Sequence, residues 1–163
     1  MARVQTIALR RMERLRRRKE KKQTGRIYCR SSLVFRFDAS LRIGGAGAHH
    51  AEISRRTGLQ ATKALLKGHP VRPNSKRICQ EDIWILSSPL SEYAAPGEHL
   101  AWLWEAVAPH IDYFSELIPQ AAWADICIGC LSESPFPLIS IDPSSLELMR
   151  RLKIGVSFNF TCT

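Results

Sequence analysis

Cys127 and Cys130, spaced as Cys-x-x-Cys in ADICIGCLS, are the first residues whose type and spacing suggest chemistry. Redox pairs of this spacing draw their reactivity from a helix N-terminus, which lowers the thiol pKa. Here the segment that follows, LSESPFP, reads as a loop. Ala124, Ile126, Ile128 and Cys130 alternate with Asp125 and Cys127, so the stretch reads as a strand with its two cysteines on opposite faces. Three strand residues span about 10 Å, beyond the ~7 Å Cα limit for a disulfide. None of the other cysteines (Cys29, Cys79, Cys162) supplies a second pair at zinc spacing. Both thiols are therefore read as small hydrophobes, with no metal, no cofactor and no catalytic residue expected.

Two other stretches invite the same question. RIGGAGAHH puts a glycine-rich turn before a helix, a place where phosphates bind. His50 stands where the dinucleotide fingerprint needs its third glycine, and the Gly-Lys-Ser/Thr of a phosphate loop is absent. His49 and His50, with Glu52 nearby, are adjacent and point in different directions on a helix, so they do not form the i, i+4 metal pair; they are read as solvated surface histidines. No Gly-x-Ser-x-Gly elbow is present.

Charge is the stronger signal. Residues 1–30 hold twelve Lys or Arg against two Glu, and residues 31–163 hold twelve against thirteen acids. The basicity belongs to an arm, residues 1–28, in which Arg10, Arg11, Arg14, Arg16, Arg17 and Arg18 are the candidate phosphate-contacting residues. Val4, Ile7, Ala8, Met12 and Leu15 would share one side of a helix there. The competing readings are a membrane-surface or groove-binding helix, a transit peptide, a solvated tail, and a true start at Met12 or later. In the body, no acid lies between Glu52 and Glu81. Lys67, His69, Arg72, Lys76 and Arg77 are the second candidate binding set, a basic patch if the loop folds beside a sheet. The plainer alternative is a loop whose charges are balanced by distant acids.

The elements that must position these residues follow from periodicity. SSLVFRFDASLRI alternates as a half-buried strand, and HHAEISRRTGL reads as a short helix stopped by Gly58. KGHPVRPNSKR is a Pro/Gly/Asn-rich loop, and DIWILSS is apolar on both faces, as a central strand would be. A helix carries Leu100, Leu103, Trp104, Val107, Ile111, Phe114, Leu117 and Ile118 at spacings of three and four, with a kink at Pro109. Asp142 caps a last helix that has Pro143 first and Gly155 beyond its end; VSFNFTC is the closing strand. The expected fold is α+β in two layers, in β-α-β-α-β-α-β order: four to five strands in a sheet, helices mainly on one face, a single domain over residues 29–163.

The segments EISRRTGLQATKALLKGHPVRP, DIWILSSPL, HLAWLWEAVAPHIDYFSEL and SIDPSSLELMRRLKIGVSFNF, taken in that order, resemble the bacterial domain of unknown function 4279 family. The resemblance spans about residues 31–160, leaves out the arm, and implies a small bacterial α+β domain with no family catalytic residues to carry over. With no apolar run near the ~18 residues of a membrane span and no signal peptide, a soluble cytoplasmic protein is expected. The leading expectation for function is a non-enzymatic interaction module with a protein partner, an immunity or defence role being suggested by fold-level association alone. The alternative is a nucleic-acid binder that uses the arm without sequence specificity. The third reading is an enzyme whose site needs a pocket of converging polar groups.

Overall fold

The computed structural model describes residues 35–133 and 139–162. The basic arm with its six candidate arginines, Cys29, and residues 31–34 and 134–138 lie outside them. The strands are β1 (Phe35–Gly44), β2 (Lys63–Leu65), β3 (Ile83–Ser87), β4 (Trp123–Ser132) and β5 (Gly155–Cys162). They form one sheet in the order β2-β3-β1-β4-β5.

β1 and β4 pair antiparallel over ten residues each, from Phe35 opposite Ser132 to Gly44 opposite Trp123. The two-residue period of both strands sends Ala39, Leu41 and Ile43 to the same face as Ile126, Ile128 and Cys130. Trp84 and Leu86 of β3 join them opposite Ile43 and Leu41. All eight side chains are buried. β3 is antiparallel to β1 and to β2, whereas β5 runs parallel to β4. A parallel neighbour requires a crossover, and α4 (Glu147–Leu152) lies on that connection.

Four α-helices belong to the described residues: α1 (His50–Thr57), α2 (Pro96–Val107), α3 (Ile111–Leu117) and α4. Ile53, Leu100, Leu103, Val107, Phe114, Leu117, Leu148 and Leu152 bring all four into one core with the buried face of the sheet. The fold is α+β, with its helices on one face. Trp84 and Phe114 meet in the core at a centroid distance of 6.2 Å.

The order differs from expectation: β-α-β-β-α-α-β-α-β replaces β-α-β-α-β-α-β. β2 is three residues long, too short for alternation to reveal. Pro109 does more than kink a helix: a 3₁₀ turn, Ala108–His110, separates α2 from α3. The Asp142 side chain makes no capping bond; Pro143–Leu146 form a 3₁₀ turn before α4. That helix stops at Lys153, which takes the left-handed conformation (φ 55°) expected here of a glycine, while Gly155 opens β5. Gly58 does stop α1, with φ 73° and its N–H donated to the Ser54 carbonyl.

His99 of α2 is wholly buried, with Nδ1 3.1 Å from Ser88 Oγ. Burial holds its pKa below the ordinary 6.5, and burial does the same to His50. A histidine with a depressed folded pKa binds its proton more readily in the unfolded chain, so stability is lost as pH falls below the unfolded value. Urea unfolding between pH 5 and 8 should show stability falling below about pH 6.5, by at most ~1.4 kcal/mol per pH unit per histidine. His99→Gln should flatten that slope.

Candidate functional site

The basic residues of the body sit on a hairpin, not a loop. After β2, Gly68 donates to the Cys79 carbonyl and Cys79 donates back to His69. Pro70 and Ile78 form a bridge, and Val71 donates to Arg77. The tip is a β-turn closed by Ser75 N–H on the Arg72 carbonyl, 3.0 Å. Pro73 and Asn74 occupy its centre, Asn74 at φ 64°, the residues a type II turn demands. Cys79 is buried and anchors the base. Asp82 ties that base down by accepting from Lys67 N–H at 2.9 Å, while its backbone carbonyl takes Gly45 N–H at 2.7 Å. Its carboxylate covers Gly47 so closely that a Cβ there would lie 2.2 Å from Oδ2. Part of the glycine-rich turn is thus a seat for this carboxylate.

Lys67, His69, Arg72, Lys76 and Arg77 are all exposed on this hairpin. None makes an ion pair among the described residues, where the pairs belong to Arg36, Arg42, His49, Arg55, Arg56, Arg150 and Arg151. The acids nearest in sequence are engaged elsewhere, Asp82 as described and Glu81 by Trp123 Nε1 at 2.9 Å. Leu66 and Ile78 stand exposed among the cations.

The face of the sheet away from the helices carries a clasp that sequence reasoning missed. Arg42 of β1 grips Asp125 of β4 with two bonds, Nε to Oδ1 at 2.8 Å and Nη2 to Oδ2 at 2.6 Å. Nη2 also donates to Ser157 Oγ of β5 at 3.0 Å, and that hydroxyl donates to Asp125 Oδ2 at 2.8 Å. The Asp125 hydrogen bond holds the guanidinium above its ordinary pKa. Trp123 stacks beside it, 5.5 Å from Cζ, with its indole over Gly44, where a Cβ would clash. Asp125 is thus committed as an acceptor to donors from the two neighbouring strands, a structural fastening and not a free base. The missed signal was the cross-strand position of Arg42 and Asp125, invisible until β1 and β4 are in register.

A third polar region lies between α1 and α3. His49 Nδ1 is 3.5 Å from Glu52 Oε2, and Arg56 Nε is 2.8 Å from Glu52 Oε1. The His49 hydrogen bond, then Arg56, keep the Glu52 carboxyl below its usual range. Arg56 lies over the Tyr113 ring, whose buried hydroxyl has its pKa raised by burial. The cavity they line with Gln120 is about 170 Å³, below the ~300 Å³ at which small-molecule sites begin. His50 corrects the expectation of a solvated pair: its two ring nitrogens are buried without hydrogen-bond partners. Among the described residues no three metal-ligating side chains converge.

Cys127 and Cys130 occupy opposite faces of β4, as their spacing predicts. Cys130 is 2% exposed, and burial pushes its thiol pKa up; Cys127 looks out beside Ser40 and Ser157. Cys79, Cys127, Cys130 and Cys162 are all free thiols. In a Cys29→Ser background, a thiol reagent on the native protein should modify exposed Cys162 first and Cys127 more slowly. Cys79 and Cys130 should react only on unfolding. Modification of Cys127 ahead of Cys162 would contradict the non-redox reading. Asp125→Asn should cost roughly 1–3 kcal/mol in chemical denaturation, because it strips charge-assisted bonds from a half-buried guanidinium.

No curated protein and no solved structure matches this chain. A family model does, over residues 35–163, which covers the whole sheet, its helices and the basic hairpin. The chain belongs to the family described as Domain of unknown function (DUF4279).

Proposed function

We propose that the domain is a non-enzymatic interaction module that holds an acidic surface of a protein partner with the hairpin at residues 66–80. The observation that carries this reading is the hairpin itself: five exposed basic side chains without an ion pair among the described residues, around exposed Leu66 and Ile78. Unpaired cations beside apolar side chains suit a protein interface, where arginines and apolar contacts combine while the charges steer association. The rigid turn and the Asp82 tether limit the ordering cost of binding. A bacterial cytoplasmic setting is part of the same proposal, supported by the four cysteines of the described residues, all unpaired, as a reducing compartment maintains them. Among the described residues no helix is long and apolar enough to cross a membrane.

The second reading is non-specific nucleic-acid binding through the arm, favoured by the twelve basic residues against two acids of residues 1–30. The two separate in one experiment. The full chain, residues 26–163, and a full chain carrying Arg72→Glu and Arg77→Glu are each used to capture partners from bacterial extract. A protein retained by the first two and held at least about tenfold more weakly by the third supports the hairpin reading. Nucleic acid retained by the full-length forms alone and shed steeply with salt supports the arm. Charge reversal that leaves every captured species unchanged overturns the hairpin proposal.

A further inference from the structure

The two edges of the sheet are chemically unlike. One ends in β2 and the basic hairpin. The other is β5, paired with β4 on one side and with no other strand of the described residues on its outer side. Residues 155–162, GVSFNFTC, hold no charged residue and no proline, which are common devices by which edge strands avoid pairing. Val156, Phe158 and Phe160 extend the buried row of Ile126, Ile128 and Cys130 by one strand, yet they are 39%, 43% and 55% exposed. The two phenylalanine rings stack on each other, 6.0 Å apart and 5° from parallel. Near the start of the strand lies a groove of about 560 Å³, with Pro143, Leu146, Met149, Ile154 and Val156 in its walls.

We propose that a second copy of this chain pairs antiparallel along β5, across a two-fold axis normal to the sheet. The strand is complementary to itself. Residues opposite one another in an antiparallel pair share a face. A two-fold normal to the sheet therefore brings Val156, Phe158 and Phe160 of both copies together on the helix side. Ser157, Asn159 and Thr161 of both copies then meet on the other side, hydroxyls and amides among their own kind. A charged strand would oppose its own image in an isologous contact, but this strand carries no charge. Its neutrality also gives a basic or acidic peptide nothing to recognise. In the register centred on Phe158, Phe160 of the second copy lies opposite Val156, at the mouth of the groove beside Leu146, itself 38% exposed. The product is a continuous ten-stranded sheet, five strands from each copy, with β2 and its hairpin at both far ends.

The test is the mass of the full chain in solution by light scattering, from low to high micromolar concentration, in enough salt to screen the arms. It is joined to amide hydrogen exchange of residues 155–162. The expected result is twice the chain mass, with β5 amides more protected as concentration rises. Phe158→Lys with Phe160→Lys should return the mass to one chain, raising the dissociation constant more than about tenfold while far-ultraviolet dichroism is unchanged. Phe160→Lys alone, at the most exposed of the three sites, serves if the double variant does not fold. Arg72→Glu with Arg77→Glu should leave the mass doubled, so failure of the hairpin reading and failure of this one are separable. A single-chain mass at every concentration overturns the proposal. So does a double mass that survives the β5 lysines with unchanged exchange.

Discussion

The register between β1 and β4 is the constraint on which the rest of the molecule depends. Ten consecutive pairs fix which side of each strand faces the helices. Because the side-chain period is two, a shift of one residue would turn one strand over against the other, sending either Leu41 and Ile43 or Ile126 and Ile128 to the open face and burying Arg42 or Asp125 in their place. Apolar burial and the Arg42–Asp125 clasp select the same register from opposite sides of the sheet. The apolar side contributes more, since each fully buried Leu or Ile is worth roughly 1.5–3 kcal/mol, whereas a half-buried ion pair is offset by its own desolvation. The clasp adds directionality, and through Ser157 it fastens the edge strand to the two central ones.

Long elements were legible in the sequence because each carries enough periods to be read. The alternation through Ile126, Ile128 and Cys130 placed β4 and separated its two cysteines correctly. The three- and four-residue spacing from Leu100 to Leu117 located the main helical mass. Gly58 marked a true helix end. What escaped was short or encoded elsewhere. β2 has three residues and is defined by its bonds to β3. Lys153 ends α4 in a left-handed conformation that its residue type does not favour. Pro109 announced a break, but a tight turn and a kink share the same sequence signal.

The basic patch was legible as composition and not as shape. Counting charges between Glu52 and Glu81 singled out Lys67, His69, Arg72, Lys76 and Arg77, while the bonds that make a hairpin of them are backbone bonds. Pro73 and Asn74 at its tip were read as loop residues, and such residues serve loops and tight turns alike. The polar groups of the open face escaped for another reason. Arg42, Asp125 and Ser157 lie far apart along the chain, and only the completed sheet brings them within bonding distance.

That sequence separation bears on how the chain is made. Arg42 and Asp125 are 83 residues apart, and the central pairing closes a loop of that size. At about 5–20 residues per second, β1 leaves the ribosome roughly 4–17 seconds before its principal partner strand exists. During that interval Leu41 and Ile43 can be sheltered by β3 and by α1, α2 and α3, which all precede β4, but the β3 ladder reaches no further along β1 than Ser40. Beyond it Phe37 donates its N–H to the Glu92 carbonyl, whereas the strand partners of Phe35 and Phe37, Ser132 and Cys130, come only with β4. The nascent chain therefore carries an aromatic strand end in need of protection, the kind of segment that general chaperones at the exit tunnel engage.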